Sequence, residues 1–186
     1  MILTDREIRT AIRRGAIIID PAPSEDAYSS TSVDLTLDPV LTIFNEPKDG
    51  YGIDTTFDPV MRKVGAEEAL KSVTTKTTIP DEGYVLYRNK LILGFTKEYV
   101  DLRLDTKYAA RVEGKSSLAR LGLSVHITAP TIHSGFDGCV RLEIVNHGPL
   151  PIRLRSGMSI CQLIFEQTLG TPDKGYNGQF AGQKSE

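Results

Sequence analysis

Tryptophan is absent from this chain, and cysteine occurs only twice, at Cys139 and Cys161. Two cysteines so placed make no disulfide framework. They read as reduced core or strand residues of a cytoplasmic protein. Histidine occurs only at His126, His133 and His147, and no Cys-x-x-Cys pair is present. A metal site would need these residues to converge by folding, so no metal ligand set is expected. No apolar run is long enough to span a membrane, and no secretory apolar stretch follows Met1. Ala16 to Ile19 form a short run that soon meets Asp20-Pro21. Neither charge sign dominates: 22 basic against 24 acidic residues give a formal net charge of -2. That argues against a general nucleic-acid binder. Internal repeats and low-complexity tracts are also missing.

What is present is an ordinary soluble composition, 40% hydrophobic and 25% charged over 186 residues. That length suits one domain, residues 1–186, with a core of its own. Thr4-Asp5-Arg6-Glu7 reads as a capping box with Thr4 as N-cap. Ile8, Ala11 and Ile12 follow at helical spacing, and Gly15 stops the helix. Strands are expected at 16–19, at 32–37 with Val33, Leu35 and Leu37 on one face, and at 40–44. Residues 45–83 read as an excursion from the core, with one or two helical turns near 66–71. From Tyr84 the signals are strand: 84–87, 91–96, 108–112, 124–128, 139–146, 151–154 and 160–166. Many short strands with frequent turns indicate a mainly β protein, a barrel or jelly roll with a few short helices. Crossover helices for a parallel sheet are lacking. The 170–186 tail has too few apolar residues to hold a core position. It is either a frayed end or a lid whose Tyr176 and Phe180 order over a ligand.

Two stretches carry the chemistry. The first is Gly114-Lys115-Ser116-Ser117-Leu118-Ala119-Arg120-Leu121-Gly122. It reads as a turn opening a short helix, with Ser116 or Ser117 as N-cap and Gly122 as the αL stop. Leu118 and Leu121 are expected to share a buried face. Lys115, the two serines and Arg120 then surround free N–H groups, which suits a phosphate. A capped surface helix with two solvated charges fits the same residues. The second stretch is Cys139-Val140-Arg141-Leu142-Glu143-Ile144-Val145-Asn146. Alternation puts Val140, Leu142 and Ile144 on the core face, and Cys139, Arg141, Glu143 and Val145 on the other. A carboxylate between apolar neighbours is suited to proton exchange near neutral pH. A surface pair between Glu143 and Arg141 is the alternative.

Other chemistries lack their motifs. No Gly-x-Ser-x-Gly occurs, and no glycine lies five residues before Gly114 to make a Walker-type loop. Zinc-dependent base deaminases need His-x-Glu and Pro-Cys-x-x-Cys, and neither is here.

Taken together, these stretches resemble the family of dCTP deaminases and dUTPases, in its deaminase branch. The run at 114–122 resembles the family's phosphate-binding motif. His126-Ile127-Thr128-Ala129, Gly135-Phe136-Asp137-Gly138 and Leu142-Glu143 resemble its nucleoside-binding hairpin and catalytic strand. Gly157-Met158 to Cys161-Gln162-Leu163 resembles its penultimate strand, and Gly178-Gln179-Phe180-Ala181-Gly182-Gln183 its closing segment. Met1 to Asp5 and Ser32 to Leu35 fit its N-terminal part.

The resemblance implies a distorted jelly roll of the trimeric dUTPase-like type. It implies a homotrimer with active sites between subunits, and Mg²⁺ accompanying the triphosphate. Glu143 falls on the catalytic glutamate; Ser116 and Arg120 fall around the reacting water and phosphates. Lys115, where arginine is frequent, and Ser117 fall on the phosphate grip. Ala129 falls on the backbone lining the base. Phe180 and Gln183 fall on the part of the 170–186 segment that closes over the nucleotide. His133 stands where an aspartate commonly contacts the deoxyribose and, in the dUTPase branch, helps place the hydrolytic water. The expected activity is therefore deamination of dCTP to dUTP and ammonia, without zinc. A dUTPase, alone or combined with deamination, is the first alternative. A trimeric nucleotide-binding protein without turnover is the second.

Overall fold

The computed structural model describes residues 1–46 and 66–175. Thirteen strands, three α-helices and one 3-10 turn are found among them. The first helix, α1 (Asp5–Arg13), buries Ile8 and Ala11, and Gly15 follows it with φ +66°. Thr4 does take the N-cap position, but its hydroxyl donates to the Glu7 carboxylate and caps no backbone group. The two side chains satisfy each other, so the reciprocal backbone bonds of a capping box do not form.

Next come β1 (Ile18–Asp20), β2 (Tyr28–Ser29), β3 (Ser32–Thr36) and β4 (Val40–Phe44). Val33, Leu35 and Leu37 are fully buried, as their alternation requires. Beyond the undescribed stretch, α2 (Ala66–Val73) runs straight into β5 (Thr74–Thr78). The excursion therefore returns to the core, because β5 pairs antiparallel along the whole of β4. Sequence reading did not foresee this strand. Its five residues hold no apolar side chain, so it shows no burial pattern.

The second half supplies β6 (Tyr84–Leu86), β7 (Leu91–Asp101), β8 (Tyr108–Gly114), α3 (Ser116–Ala119), β9 (Leu123–Ser124) and β10 (Thr131–Ile132). It ends with β11 (Asp137–Asn146), β12 (Ile152–Leu154) and β13 (Ser159–Gln167). One sheet has the order β5-β4-β7-β11-β9, with β1 pairing the end of β7. A second has the order β10-β8-β13-β3-β2, and β12-β6 forms a small third. All pairings are antiparallel. Leu35, Leu41, Ile92, Val112, Leu142, Ile144, Leu163 and Phe165 form the core between the sheets.

β7 continues five residues past the expected 91–96, through Lys97 and Glu98. Glu98 is buried there because Thr36 donates to it twice, from its N–H at 2.9 Å and its hydroxyl at 2.7 Å. A buried carboxylate needs such partners. Both cysteines are free and buried. Burial pushes the Cys161 thiol up, which keeps it protonated and inert. Among the described residues, no helix is long and apolar enough to cross a membrane.

Candidate active site

The site starts from the pleat of β11. Val140, Leu142 and Ile144 are buried, while Arg141, Glu143 and Val145 lie half-buried on the outer face. Cys139, on the same face, is buried. The register shift beside it lies in β7, where the four steps from Tyr99 to Phe95 face only two of β11, so β11 keeps its alternation and Cys139 is covered on the outer face rather than in the core cluster. At the same end of β11, Asp137 faces Asp101 across the ladder. Burial, then the charge of Asp137, pushes the Asp101 carboxyl above its ordinary range.

Glu143 pairs with Leu93 of β7, and Leu93 pairs in turn with Thr42 of β4. Residues opposite each other on paired strands share a face. Glu143, Leu93, Thr42 and Phe44 therefore lie on one outer surface. On the other side of Glu143 is β9 and the segment that follows it. There the Ile127 N–H points at Glu143 Oε2 across 3.4 Å, a long contact. The Arg141 guanidinium stands 5.6 Å from the centre of the Phe95 ring, its partner across the ladder.

These elements enclose a cavity of about 410 Å³. Glu143, Arg141, Ala129 and His133 line it, with Thr131 beside them. Phe44, Leu70 and Leu93 make an apolar side. The size falls within the range of small-molecule pockets. Ala129, Thr131 and His133 are exposed, whereas Ile132 and Phe136 between and after them are buried. The hairpin is pinned from below: the Leu102 N–H donates to the Phe136 carbonyl at 2.9 Å, and the Val112 N–H to the Pro130 carbonyl at 2.9 Å.

Three of the site residues expected from sequence thus converge: Glu143, Ala129 and His133. Ser116, Ser117, Lys115 and Arg120 do not line this cavity. They sit on and before α3, where Ser116, Ser117 and Arg120 are exposed. Lys115, not a serine, is the N-cap residue, and its side chain makes no cap. Its carbonyl accepts from the Leu118 and Ala119 N–H groups at 3.0 and 2.8 Å. Its ammonium pairs with Asp34 of β3, and both side chains are less than a quarter exposed. Gly122 does end the helix, with φ +94°. Leu121 is exposed rather than sharing the half-buried face of Leu118. The helix is one turn long, too short to present two apolar residues three apart to the same neighbour. Phe180 and Gln183 lie outside the described residues.

The three histidines stay apart. His126 Nε2 lies 3.8 Å from Glu113 Oε2, His147 Nε2 lies 3.3 Å from the Ser124 hydroxyl, and His133 lines the cavity. Among the described residues, no group of three or more His, Cys, Asp or Glu could hold a metal ion. Sequence reading missed Phe44, Leu70 and Leu93 as cavity residues. Alternation alone puts Phe44 on the face of Thr42, but only the strand order brings that face beside Glu143.

Two antiparallel sheets around one core, with a cavity lined by residues of both, define a dUTPase-like β fold. A solved dCTP deaminase from Agrobacterium tumefaciens matches with a TM-score of 0.65 at 21% identity, covering 89% of this chain. This chain spans about half, 48%, of that one. A point mutant of a dUTPase from phage phi11 of S. aureus matches with a TM-score of 0.50 at 9% identity, over 87% of this chain and 97% of its own. At such identities the likeness concerns the fold.

Residues 2–168 match the family model described as dCTP deaminase-like, and the chain belongs to that family. A dCTP deaminase of Rhodospirillum rubrum is 39% identical over 95% of this chain and 87% of its own length. A dUMP-forming dCTP deaminase of Methanobrevibacter smithii is 36% identical over 92% of this chain and 82% of its own.

Proposed function

We propose that this protein deaminates dCTP hydrolytically, giving dUTP and ammonia, as a homotrimer in the cytoplasm. The observation that carries the reading is Glu143 in the wall of a largely apolar cavity, beside the exposed Ala129 hairpin. It stands together with the family membership of the chain. Deamination adds water oxygen to C4 of the base, protonates N3, and transfers a proton to the departing amine. A single carboxyl group beside C4 can carry these protons in turn. Glu143 is the residue in that role. The backbone at Ala129 lines the base.

Ser116 orients the water, and Arg120 holds phosphates and Glu143 in register. Lys115 and Ser117 grip the triphosphate, which brings its Mg²⁺ with it as part of the substrate. Phe180 and Gln183 close over the nucleotide. Within one chain the 115–120 residues stand outside the cavity of Glu143. That separation supports an assembly in which α3 of one subunit completes the cavity of its neighbour. The buried, free cysteines suit a reducing compartment.

The ligand set of the zinc deaminases is missing from the sequence. Activity is therefore expected to survive a zinc-selective chelator and to fall when Mg²⁺ is withdrawn. Zinc analysis of the purified protein beside its activity checks this. Activity that follows a stoichiometric zinc content overturns the zinc-free route.

The curated relatives carry both names, with and without dUMP formation. His133 bears on that choice. A neutral imidazole accepts one hydrogen bond but brings no negative charge to a water. Wild-type protein incubated with dCTP and Mg²⁺ is expected to accumulate dUTP with little pyrophosphate. His133→Asp is expected to keep deamination and to increase dUTP hydrolysis. The product ratio over time, by chromatography, decides the matter. Mainly dUMP and pyrophosphate from the wild type would establish the bifunctional reading instead.

A further inference from the structure

We infer that Phe44 and Leu70 set the size of the substituent accepted at C5 of the pyrimidine. The inference rests on the reading of the cavity as a cytosine-nucleotide site.

The two sides of Glu143 differ in chemistry. Toward β9 lie the Ile127 N–H and the exposed hairpin residues Ala129, Thr131 and His133, over the buried Val112, Ile132 and Phe136. Toward β7 and β4 lie Leu93 and then Phe44, with Leu70 of α2 completing that side. Leu93 is buried although it lies on the outer face of the sheet.

The position of Leu70 beside Phe44 is fixed by backbone ties. Phe44 pairs with Thr74 in the β4–β5 ladder. The Thr74 hydroxyl donates to the Leu70 carbonyl at 2.6 Å, and the Asn45 N–H to the Val73 carbonyl at 2.8 Å. The last turn of α2 is thereby anchored to the end of β4. Among the described residues of the excursion, Leu70 reaches the site.

Cytosine has one polar edge, running from the C4 amine through N3 to O2, and one apolar edge at C5 and C6. With C4 at Glu143, N3 and O2 need hydrogen-bonding partners. Those stand on the hairpin side. The C5–C6 edge then faces Leu93, Phe44 and Leu70, which offer no polar side-chain atom. A substituent at C5 would extend toward Leu70 and Phe44. Their volume is the limit it meets.

The test compares dCTP, 5-methyl-dCTP and 5-iodo-dCTP with wild-type protein and the variants Leu70→Ala, Leu70→Trp and Phe44→Ala. Both kcat/KM and the dissociation constant by calorimetry are measured, so ratios exist even for a slow variant. Leu70→Ala and Phe44→Ala should raise the 5-iodo-dCTP to dCTP ratio about tenfold or more, the scale of a few carbons in an apolar pocket. Leu70→Trp should lower the 5-methyl-dCTP to dCTP ratio by a similar factor. Leu70 and Phe44 are both half-buried at the rim, so the two opposite changes at Leu70 also control for misfolding. Ratios that stay within twofold in all three variants, with dCTP still turned over, overturn the inference and leave the deaminase reading standing. Wild-type protein that neither binds nor deaminates dCTP overturns both.

Discussion

Glu143→Gln is expected to lower the rate of dCTP deamination by roughly 10²-fold or more while leaving dCTP affinity within a few-fold. The amide has the shape of the carboxylate and fits the same place on β11, opposite Leu93. Its carbonyl oxygen still accepts from the Ile127 N–H that faces Oε2. What it cannot do is take a proton from water and pass it to N3 and then to the amine. The expected signature is therefore a loss in kcat with little change in binding, which marks a group acting in the transition state. Single-turnover kinetics beside calorimetric titration with dCTP separates the two. A variant retaining a tenth of the wild-type rate removes Glu143 from the proton path. A variant that loses binding in proportion makes Glu143 a base-binding residue.

Gly122→Ala is expected to be strongly destabilising. Gly122 has φ +94°, a conformation in which a side chain is strained wherever it points. A Cβ there would also stand 2.2 Å from the Gly148 nitrogen and 2.4 Å from the Gly148 Cα. The obstacle is backbone and cannot rotate away. Nor is the loop free to shift. Asn146, fully buried, donates to the Leu86 and Leu150 carbonyls at 3.0 and 2.9 Å and accepts from the Gly148 N–H at 2.9 Å. The His147 N–H also donates to the Gly122 carbonyl at 2.7 Å.

Strain and clash together are expected to cost about 3 kcal/mol or more. Gly157→Ala supplies the comparison. Its φ is +74°, but a Cβ there has nothing within 4 Å. Only the conformational cost of about 1–2 kcal/mol applies to it. Urea unfolding of both variants measures the difference. Equal losses would mean that the end of α3 yields around the new methyl group, contrary to the fixed contact between Gly122 and Gly148.

Much of the site was legible because its signals are local. The alternation of Val140, Leu142 and Ile144 against Arg141 and Glu143 follows from the pleat of one strand. Gly122 as the end of α3 follows from the one residue type that tolerates its φ. The mainly β character follows from short apolar runs set between turn residues. Each of these is decided within about ten residues of sequence.

The sequence by itself set Glu143 on a strand and the serines and cations of 115–120 beside a short helix, and its resemblance to the family pointed to Ala129 and His133. It also lacks the His-x-Glu and Pro-Cys-x-x-Cys motifs of the zinc deaminases. Only the tertiary structure decided their neighbours. The register of β11 on β7 and of β7 on β4 brings Phe44 to the surface of Glu143, 99 positions away in sequence. The polar strand β5 joins the sheet although no burial pattern announces it. Lys115 meets Asp34 from another strand. The physical reason is common to all three. Strand pairing joins residues remote along the chain through backbone hydrogen bonds that any side chain permits, so the partners leave no mark in local composition.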